Sequence, residues 1–255
     1  MAKLARTNPA LAKAIKPAAT RVAGVYGGAV GLLLGAARRT GLRRLPGPPS
    51  TTGLLVGANV LALTFWLGPI GLAASVFAGL TAAAITALTV RSRPLNAYER
   101  AIAVQVFGEA AWLDDVHLTT MSVQHGRAFA FPGADGRTYL NLGAKGFHAP
   151  LDGNRLYPAI GQILVHELTH AWQIEHSKSL AAFLSHAAEV QLRNELGERV
   201  YDIGSAPVVW SECNLEQQAT AVDRWYAGRR SPTNRQLDPE ATDATTITNA
   251  LHRNL

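Results

Sequence analysis

The feature that most constrains the fold is a long uncharged stretch in the first half of the chain. Residues 45–90 contain no Asp, Glu, Lys or Arg. Gly68-Pro69 divides residues 51–90 into apolar arms of about 17 and about 21 residues. Because one membrane span needs about 20 residues, 40 apolar positions suit two spans better than one. The sequence therefore predicts an α-helical membrane hairpin at 51–90 that turns at Gly68-Pro69.

The charges on either side of this hairpin predict its orientation. Residues 1–44 carry nine Lys or Arg and no acid, whereas residues 91–255 carry 15 basic and 18 acidic residues. If both arms cross, residues 1–50 and 91–255 lie on the same side. Basic residues next to a membrane span favour the cytoplasmic side, so we expect both flanks, including residues 91–255, to be cytoplasmic. The arginines next to the hairpin are Arg38, Arg39, Arg43, Arg44, Arg91 and Arg93.

Two alternatives remain open for the apolar segments. Gly, Ala and Thr make both arms only moderately hydrophobic, so a hairpin buried in a soluble core would give a similar pattern. The Gly-rich apolar segment 22–37 is short for a span. It suits close packing against another helix or a position at the membrane interface, and the sequence does not decide between them.

Composition argues against several classes of protein. The basic N-terminal residues lie among Ala, Leu and Gly with few aromatic residues, so we expect no nucleic-acid partner. The first 21 residues are too polar for a secretory signal and include Pro9 and Pro17. A single cysteine, Cys213, excludes an internal disulfide framework and agrees with a reducing compartment.

The chemistry of the chain is concentrated in the segment "ILVHELTHAWQIEH" at 163–176. His166 and His170 are four residues apart, which places both imidazoles on one face of a helix. If these imidazoles bind a metal ion, Glu167, which follows His166, has its carboxylate beside a metal-bound water and does not bind the metal itself. This HExxH spacing predicts a Zn²⁺ site with Glu167 as the general base of a metallopeptidase.

A catalytic zinc site needs a third protein ligand, and the sequence offers several. His176 matches the third histidine of the longer motif HExxHxxGxxH, but Gln173 replaces its turning glycine. The other candidates are Glu212 and Glu216, four residues apart, with Asp223 further along the same predicted helix. Spacing alone does not choose between the two glutamates.

The segment 91–228 has an α+β pattern. Asn96 is a suitable N-cap for a first helix, and a helix near 162–175 carries the HExxH motif. We expect the strand at 138–143 to offer its edge to an extended peptide. The other elements are strands at 116–123 and 127–132, helices at 178–200 and 211–228, and a loose polar tail at 229–255.

Three stretches resemble a group of uncharacterised bacterial zincin-like proteins, often associated with Vgr or Rhs type secretion and toxin loci. They are the opening "RPLNAYERAIAVQVFG", the helix "HELTHAWQ" and the later "NLEQQA", within residues 93–228. The resemblance implies a zincin-like fold that binds zinc. It also implies that Glu216 is the third ligand, with Glu212 as the next choice.

These features predict four regions and a leading function. The regions are a basic, Gly-rich segment at 1–50, the hairpin at 51–90, a zincin-like catalytic domain at 91–228 and the tail at 229–255. We expect a membrane-anchored zinc metallopeptidase that acts on a peptide or protein substrate, with its oligomeric state open. The alternatives are a toxin or binding module that keeps the zincin fold without proteolysis, and a soluble structural protein with a buried hairpin.

Overall fold

The structure is a computed structural model that describes residues 9–40, 47–108, 110–121, 128–204 and 209–230. Several positions named above lie outside the described residues: Arg43, Arg44, the tail beyond 230, and residues 122, 123 and 127 at the facing ends of two predicted strands. The described part is an α+β fold, mostly helical, with one small mixed sheet. Its helices are α1 Pro9–Arg39, α2 Gly47–Thr64, α3 Pro69–Thr89, α4 Ala97–Phe107, α5 Gly143–His148, α6 Gln162–Glu175, α7 Leu180–Glu195 and α8 Leu215–Arg230. Its strands are β1 Ser92–Pro94, β2 Val116–Thr119, β3 Phe129–Pro132 and β4 Thr138–Asn141.

Helices α2 and α3 pack against each other as the expected hairpin. Gly68 joins them with φ 59°, a left-handed conformation that favours glycine, and Pro69 begins α3. The arms approach closely, since the Ser75 hydroxyl donates to the Gly57 carbonyl at 2.7 Å. Helix α2 begins at Gly47, four residues before the predicted start.

Two of the described helices are long and apolar enough to cross a membrane, judged by length and composition alone. One is the Lys16–Arg39 part of α1, and the other is Pro69–Thr89, which is α3. Segment 22–37 is thus the middle of a much longer helix, which packs along α7. Composition therefore does not separate a membrane span from a helix docked on the rest of the protein.

Both ends of the hairpin are attached to the sheet. At the start of α2, the Thr51 hydroxyl accepts a hydrogen bond of 2.8 Å from the backbone N–H of Ala134, in the turn between β3 and β4. At the other end, α3 leads into β1, which pairs with β2. The two flanks of the hairpin therefore lie on the same side of the molecule.

The junction between the hairpin and α4 is held by an ion pair with a buried acid. Asn96 caps α4 as predicted, and Glu99 completes a capping box. Both carboxylate oxygens of Glu99 accept hydrogen bonds of 2.8 Å from Arg93. The same guanidinium donates to the carbonyl of Phe147, so Arg93 also links the junction to α5.

The sheet has the order β1-β2-β4-β3, in which only the β2–β4 pair is parallel. The prediction that the strand at 138–143 offers a free edge is therefore wrong. All four β4 residues are buried, and the strand pairs with β2 on one side and β3 on the other. In the described part of the sheet, the outer strands are β1 and β3, and β3 lies beside α6.

The helix predicted at 211–228 is divided in two. Trp210–Glu212 forms a short 3₁₀ turn, and α8 begins at Leu215. The Asn214 side chain accepts hydrogen bonds from the backbone N–H groups of Glu216 and Gln217, which caps the new helix. This break separates Glu212 from the helix that carries Glu216.

Candidate metal centre

Helix α6 carries the HExxH motif through the core. Leu164, Val165 and Leu168 are fully buried on the sides that pack against the sheet and neighbouring helices. His166 and His170 point from the opposite side toward α8, and both are buried. The helix thus uses its apolar sides to hold two histidines away from bulk water.

Helix α8 brings Glu216 to both histidines. Its Oε2 lies 3.4 Å from His166 Nε2 and 3.3 Å from His170 Nε2. One ligand atom from each of the three residues lies within 4.8 Å of the others, and all three residues are buried. The structure therefore brings together the two histidines and the glutamate that the sequence analysis named.

In each of these three side chains, the nitrogen or oxygen atom that points away from the centre of the cluster has a hydrogen-bond partner. His166 Nδ1 lies 2.7 Å from Asp223 Oδ2, and His170 Nδ1 lies 2.8 Å from the side-chain oxygen of Gln173. Gln191 Nε2 donates to Glu216 Oε1 at 2.7 Å. Each side chain therefore turns its remaining ligand atom, Nε2 or Oε2, toward the same point.

A further layer of hydrogen bonds fixes these outer partners. Gln162 donates to the second oxygen of Asp223 at 2.8 Å. The Gln173 amide donates to the carbonyl of Leu215 and to the side chain of Gln218. Such outer partners orient metal ligands and fix the tautomer of a ligating histidine.

The separations between these atoms fit a zinc ion. Tetrahedral zinc has ligand distances of about 2.0–2.2 Å, so neighbouring ligand atoms lie about 3.4 Å apart. The two measured histidine–glutamate distances, 3.4 Å and 3.3 Å, agree with that value. Two imidazoles and one carboxylate also leave the fourth position that a catalytic zinc keeps open.

The charges of the cluster favour a cation at its centre. Burial by itself lowers the pKa of His166, but hydrogen bonds to Asp223 and Glu216 outweigh it and raise that pKa to about 10. Burial by itself raises the pKa of Glu216, but the charges of His170 and His166 outweigh it and hold that pKa well below its usual range. A positive charge beside these carboxylates is therefore stabilising, and a divalent metal would supply one.

Glu167 is the buried acid without a visible structural role. Its Oε2 has no hydrogen-bond partner among the residues that the structure describes. Burial raises the pKa of this carboxyl to about 6, opposed by the charges of His170 and His166. An unpaired buried carboxylate oxygen is costly, so its retention beside the two histidines points to a chemical role.

Two tyrosines flank His166. The Tyr157 ring lies 5.4 Å from the imidazole, and the Tyr201 ring lies 6.3 Å from it. Burial and the charge of Glu167 raise the pKa of Tyr157, so its hydroxyl stays protonated at neutral pH. Tyr157 lies in the loop before α6, where no periodicity in the sequence indicates its approach to the site.

The other third-ligand candidates lie elsewhere or act differently. Glu212 is exposed in the 3₁₀ turn. His176 follows the end of α6, with Nδ1 bonded to the Trp172 carbonyl and its ring stacked on the Trp172 indole. Asp223 contacts His166 at Nδ1, on the side of the ring away from the ligand cluster, and does not join that cluster.

The chain matches no protein-family model, and neither the curated proteins nor the solved structures include a significantly similar one.

Proposed function

We propose that this protein is a zinc-dependent metallopeptidase with a zincin-like catalytic domain. The observation that carries the proposal is the convergence of His166, His170 and Glu216 on one buried point. Each of these side chains is bonded on its outward side, so the ligand atoms are oriented before any metal binds.

The roles of the residues follow from their positions. A zinc ion held by His166, His170 and Glu216 would supply Lewis-acid chemistry, which would polarise a scissile carbonyl and lower the pKa of a bound water toward 7. Glu167 accepts the proton of the attacking water on its unpaired carboxylate and returns it to the leaving amine. Tyr157, whose ring lies 5.4 Å from the His166 imidazole, would donate a hydrogen bond from its hydroxyl to the oxygen on which negative charge develops.

The proposed substrate is an extended peptide. Strand β3 is an outer strand in the described part of the sheet and contacts α6, which carries the catalytic motif. Backbone hydrogen bonds to such an edge hold a peptide whatever its side chains are. Strand β3 therefore replaces β4 as the proposed place of substrate pairing.

We propose that the hairpin α2–α3 enters a membrane and anchors the catalytic domain on its cytoplasmic side. Large apolar side chains are exposed at the turn and on the outer surface of α3, among them Trp66, Ile70 and Phe77. Contiguous exposed apolar surface indicates contact with lipid or with another protein. The attachment of both hairpin ends to one sheet supports the same-side topology, and the flanking arginines favour the cytoplasm.

Metal analysis of the full-length chain, purified in detergent, tests this function first. We expect about one zinc per chain. His166→Ala should lose that zinc, whereas His186→Ala, which changes an exposed histidine on α7, should keep it. Equal zinc contents in both variants would contradict the site.

Cleavage of a peptide library, read by mass spectrometry with and without a chelator, tests the reaction. We expect cleavage that the chelator abolishes and that added zinc restores. A chain that binds zinc through His166 yet cleaves no peptide would favour the toxin or binding module instead.

A further inference from the structure

Helix α1 is bonded to the catalytic part of the chain at both ends. Near its start, Lys16 forms an ion pair with Glu198, just beyond α7. Near its end, Arg38 donates to the carbonyls of Gly133 and Arg137 in the β3–β4 turn, at 2.9 Å and 3.0 Å. These two points are about 33 Å apart along the helix, about the thickness of a bilayer core. A helix held at both ends by one domain does not cross a membrane in this arrangement.

The long contact of α1 is with α7, and its glycines make that contact close. A Cβ atom added at Gly27 would lie 2.1 Å from the Leu184 carbonyl oxygen, and one at Gly31 would lie 2.4 Å from the Leu180 carbonyl oxygen. At Gly28 the nearest atoms would be 3.8 Å away, and at Gly35 none lies within 4 Å. The backbones of α1 and α7 therefore touch at Gly27 and Gly31.

Helix α7 makes most of its close backbone contacts with α1, while its two buried side chains face away from α1. Only Phe183 and Val190 of α7 are fully buried, and both lie on the face opposite the glycine contact. Contacts of α7 with α6 and α8 are few compared with those along α1. The position of α7 relative to the site is therefore set in part by α1.

One residue of α7 reaches the metal centre. Gln191 Nε2 donates to Glu216 Oε1 at 2.7 Å, which leaves Oε2 directed at the two histidines. Gln191 is itself an exposed residue. Its contact with Glu216 is therefore maintained by the position of the α7 backbone.

We propose that α1 is a positioning element of the metal centre, acting through α7 and Gln191 on the third ligand Glu216. The proposal rests on the zinc site proposed above. It assigns Gln191 as a positioning residue, and it gives the Gly-rich apolar helix an intramolecular role in place of a membrane span. The catalytic part of the chain without α1 should accordingly hold zinc less firmly than the full chain.

Alanine substitutions of the α1 glycines in the full-length chain test the first link. Each Gly→Ala change adds the same methyl group and the same gain in helix propensity, so only the local contact differs. Zinc affinity is measured by competition with a chromophoric chelator. We expect Gly27→Ala and Gly31→Ala to weaken zinc binding at least about tenfold, the usual loss when an outer partner of a ligand is disturbed. Gly28→Ala and Gly35→Ala should bind zinc as wild type does.

Gln191→Leu tests the second link without altering the contact between α1 and α7. We expect zinc affinity to fall about 10–100-fold and the visible spectrum of the cobalt-substituted protein to change, because Glu216 is no longer held. His186→Leu, an exposed α7 control, should leave both unchanged. The double variant Gly27→Ala/Gln191→Leu should bind zinc no more weakly than the weaker single variant, because both changes break one chain of contacts.

The outcomes separate this proposal from the proposed function. Equal affinity of Gly27→Ala and Gly35→Ala would overturn the role of α1. Losses that multiply in the double variant would overturn the route through Gln191. A folded wild-type chain that binds no zinc would overturn the proposed function itself, and this proposal with it.

Discussion

Substitution of Glu167 would separate metal binding from catalysis in the proposed site. Its carboxylate lies beside the ligands without joining the cluster, and Oε2 is unpaired in the described residues. We predict that Glu167→Gln keeps the fold and the zinc but loses about 10²–10⁴-fold in peptide hydrolysis, the usual contribution of a general base. Metal content and cleavage rate, measured on the same sample, check this prediction.

His170→Ala is the comparison for that experiment, because it removes a ligand atom of the cluster. It should lose both the zinc and the activity. Wild-type cleavage by zinc-loaded Glu167→Gln would show that another group takes the proton of the water.

The identity of the third ligand gives a second prediction at this scale. Glu216→Ala should lose stoichiometric zinc, because it removes the carboxylate oxygen that meets both histidines. Glu212→Ala and His176→Ala should keep it, since Glu212 is exposed and His176 is bonded to Trp172. Zinc analysis of the three purified variants decides the matter. Loss of zinc from Glu212→Ala alone would show that the 3₁₀ turn supplies the ligand.

Local spacing predicts only part of this site. His166 and His170 lie on one face of the helix because four residues make about one helical turn. This proximity does not depend on residues that are distant in the sequence. The choice between Glu212 and Glu216 depends on a helix break at Asn214, where a side-chain cap competes with a continued helix. Gln191 and Tyr157 reach the site through packing between distant segments, and no local pattern in the sequence records such contacts.

At the scale of elements, the junction between β1 and α4 depends on an ion pair with a buried acid. The Glu99 carboxylate is fully buried, and Arg93 is its cationic partner. We predict that Arg93→Met lowers the free energy of unfolding by about 3 kcal/mol, because it leaves a buried charge without a partner. Denaturant titration of the two proteins measures the difference.

Arg100 provides a matched control on the same helix. Its ion pair with Asp114 is largely exposed, and such pairs contribute about 0–1 kcal/mol. Arg100→Met should therefore have a much smaller effect than Arg93→Met. Equal effects of the two substitutions would mean that the burial of Glu99 does not govern the stability of the junction.

The elements themselves were easier to predict than their arrangement. The hairpin turn, the Asn96 cap and the motif helix follow from glycine, proline, capping chemistry and helical period, all of which act over a few residues. The prediction for β4 failed because the parallel β2–β4 pair joins strands about twenty residues apart. A strand's own side chains indicate that it is buried and do not indicate which strands lie beside it.

At the scale of the whole molecule, α1 and α3 pass the same test of length and composition, yet they differ in their contacts. Helix α1 lies against α7 and is bonded at both ends, although it exposes Val25 and Leu32 much as α3 exposes Phe77. Hydropathy counts apolar residues and does not record what covers them. The bonds at the two ends of α1, and not its surface composition, are what distinguish it from the hairpin.

This arrangement predicts the topology of the full chain in a membrane. Single cysteines are placed in a Cys213→Ser background. Thr40→Cys marks the end of α1, Leu67→Cys marks the hairpin turn and Lys178→Cys marks the catalytic domain. An impermeant thiol reagent should label only the turn in intact cells, and all three sites once the cells are opened. The reason is that one sheet holds both ends of the hairpin, so residues 40 and 178 share a side. Labelling of only one of these two from outside would indicate a single crossing, and release of the protein by alkaline carbonate would indicate a soluble hairpin.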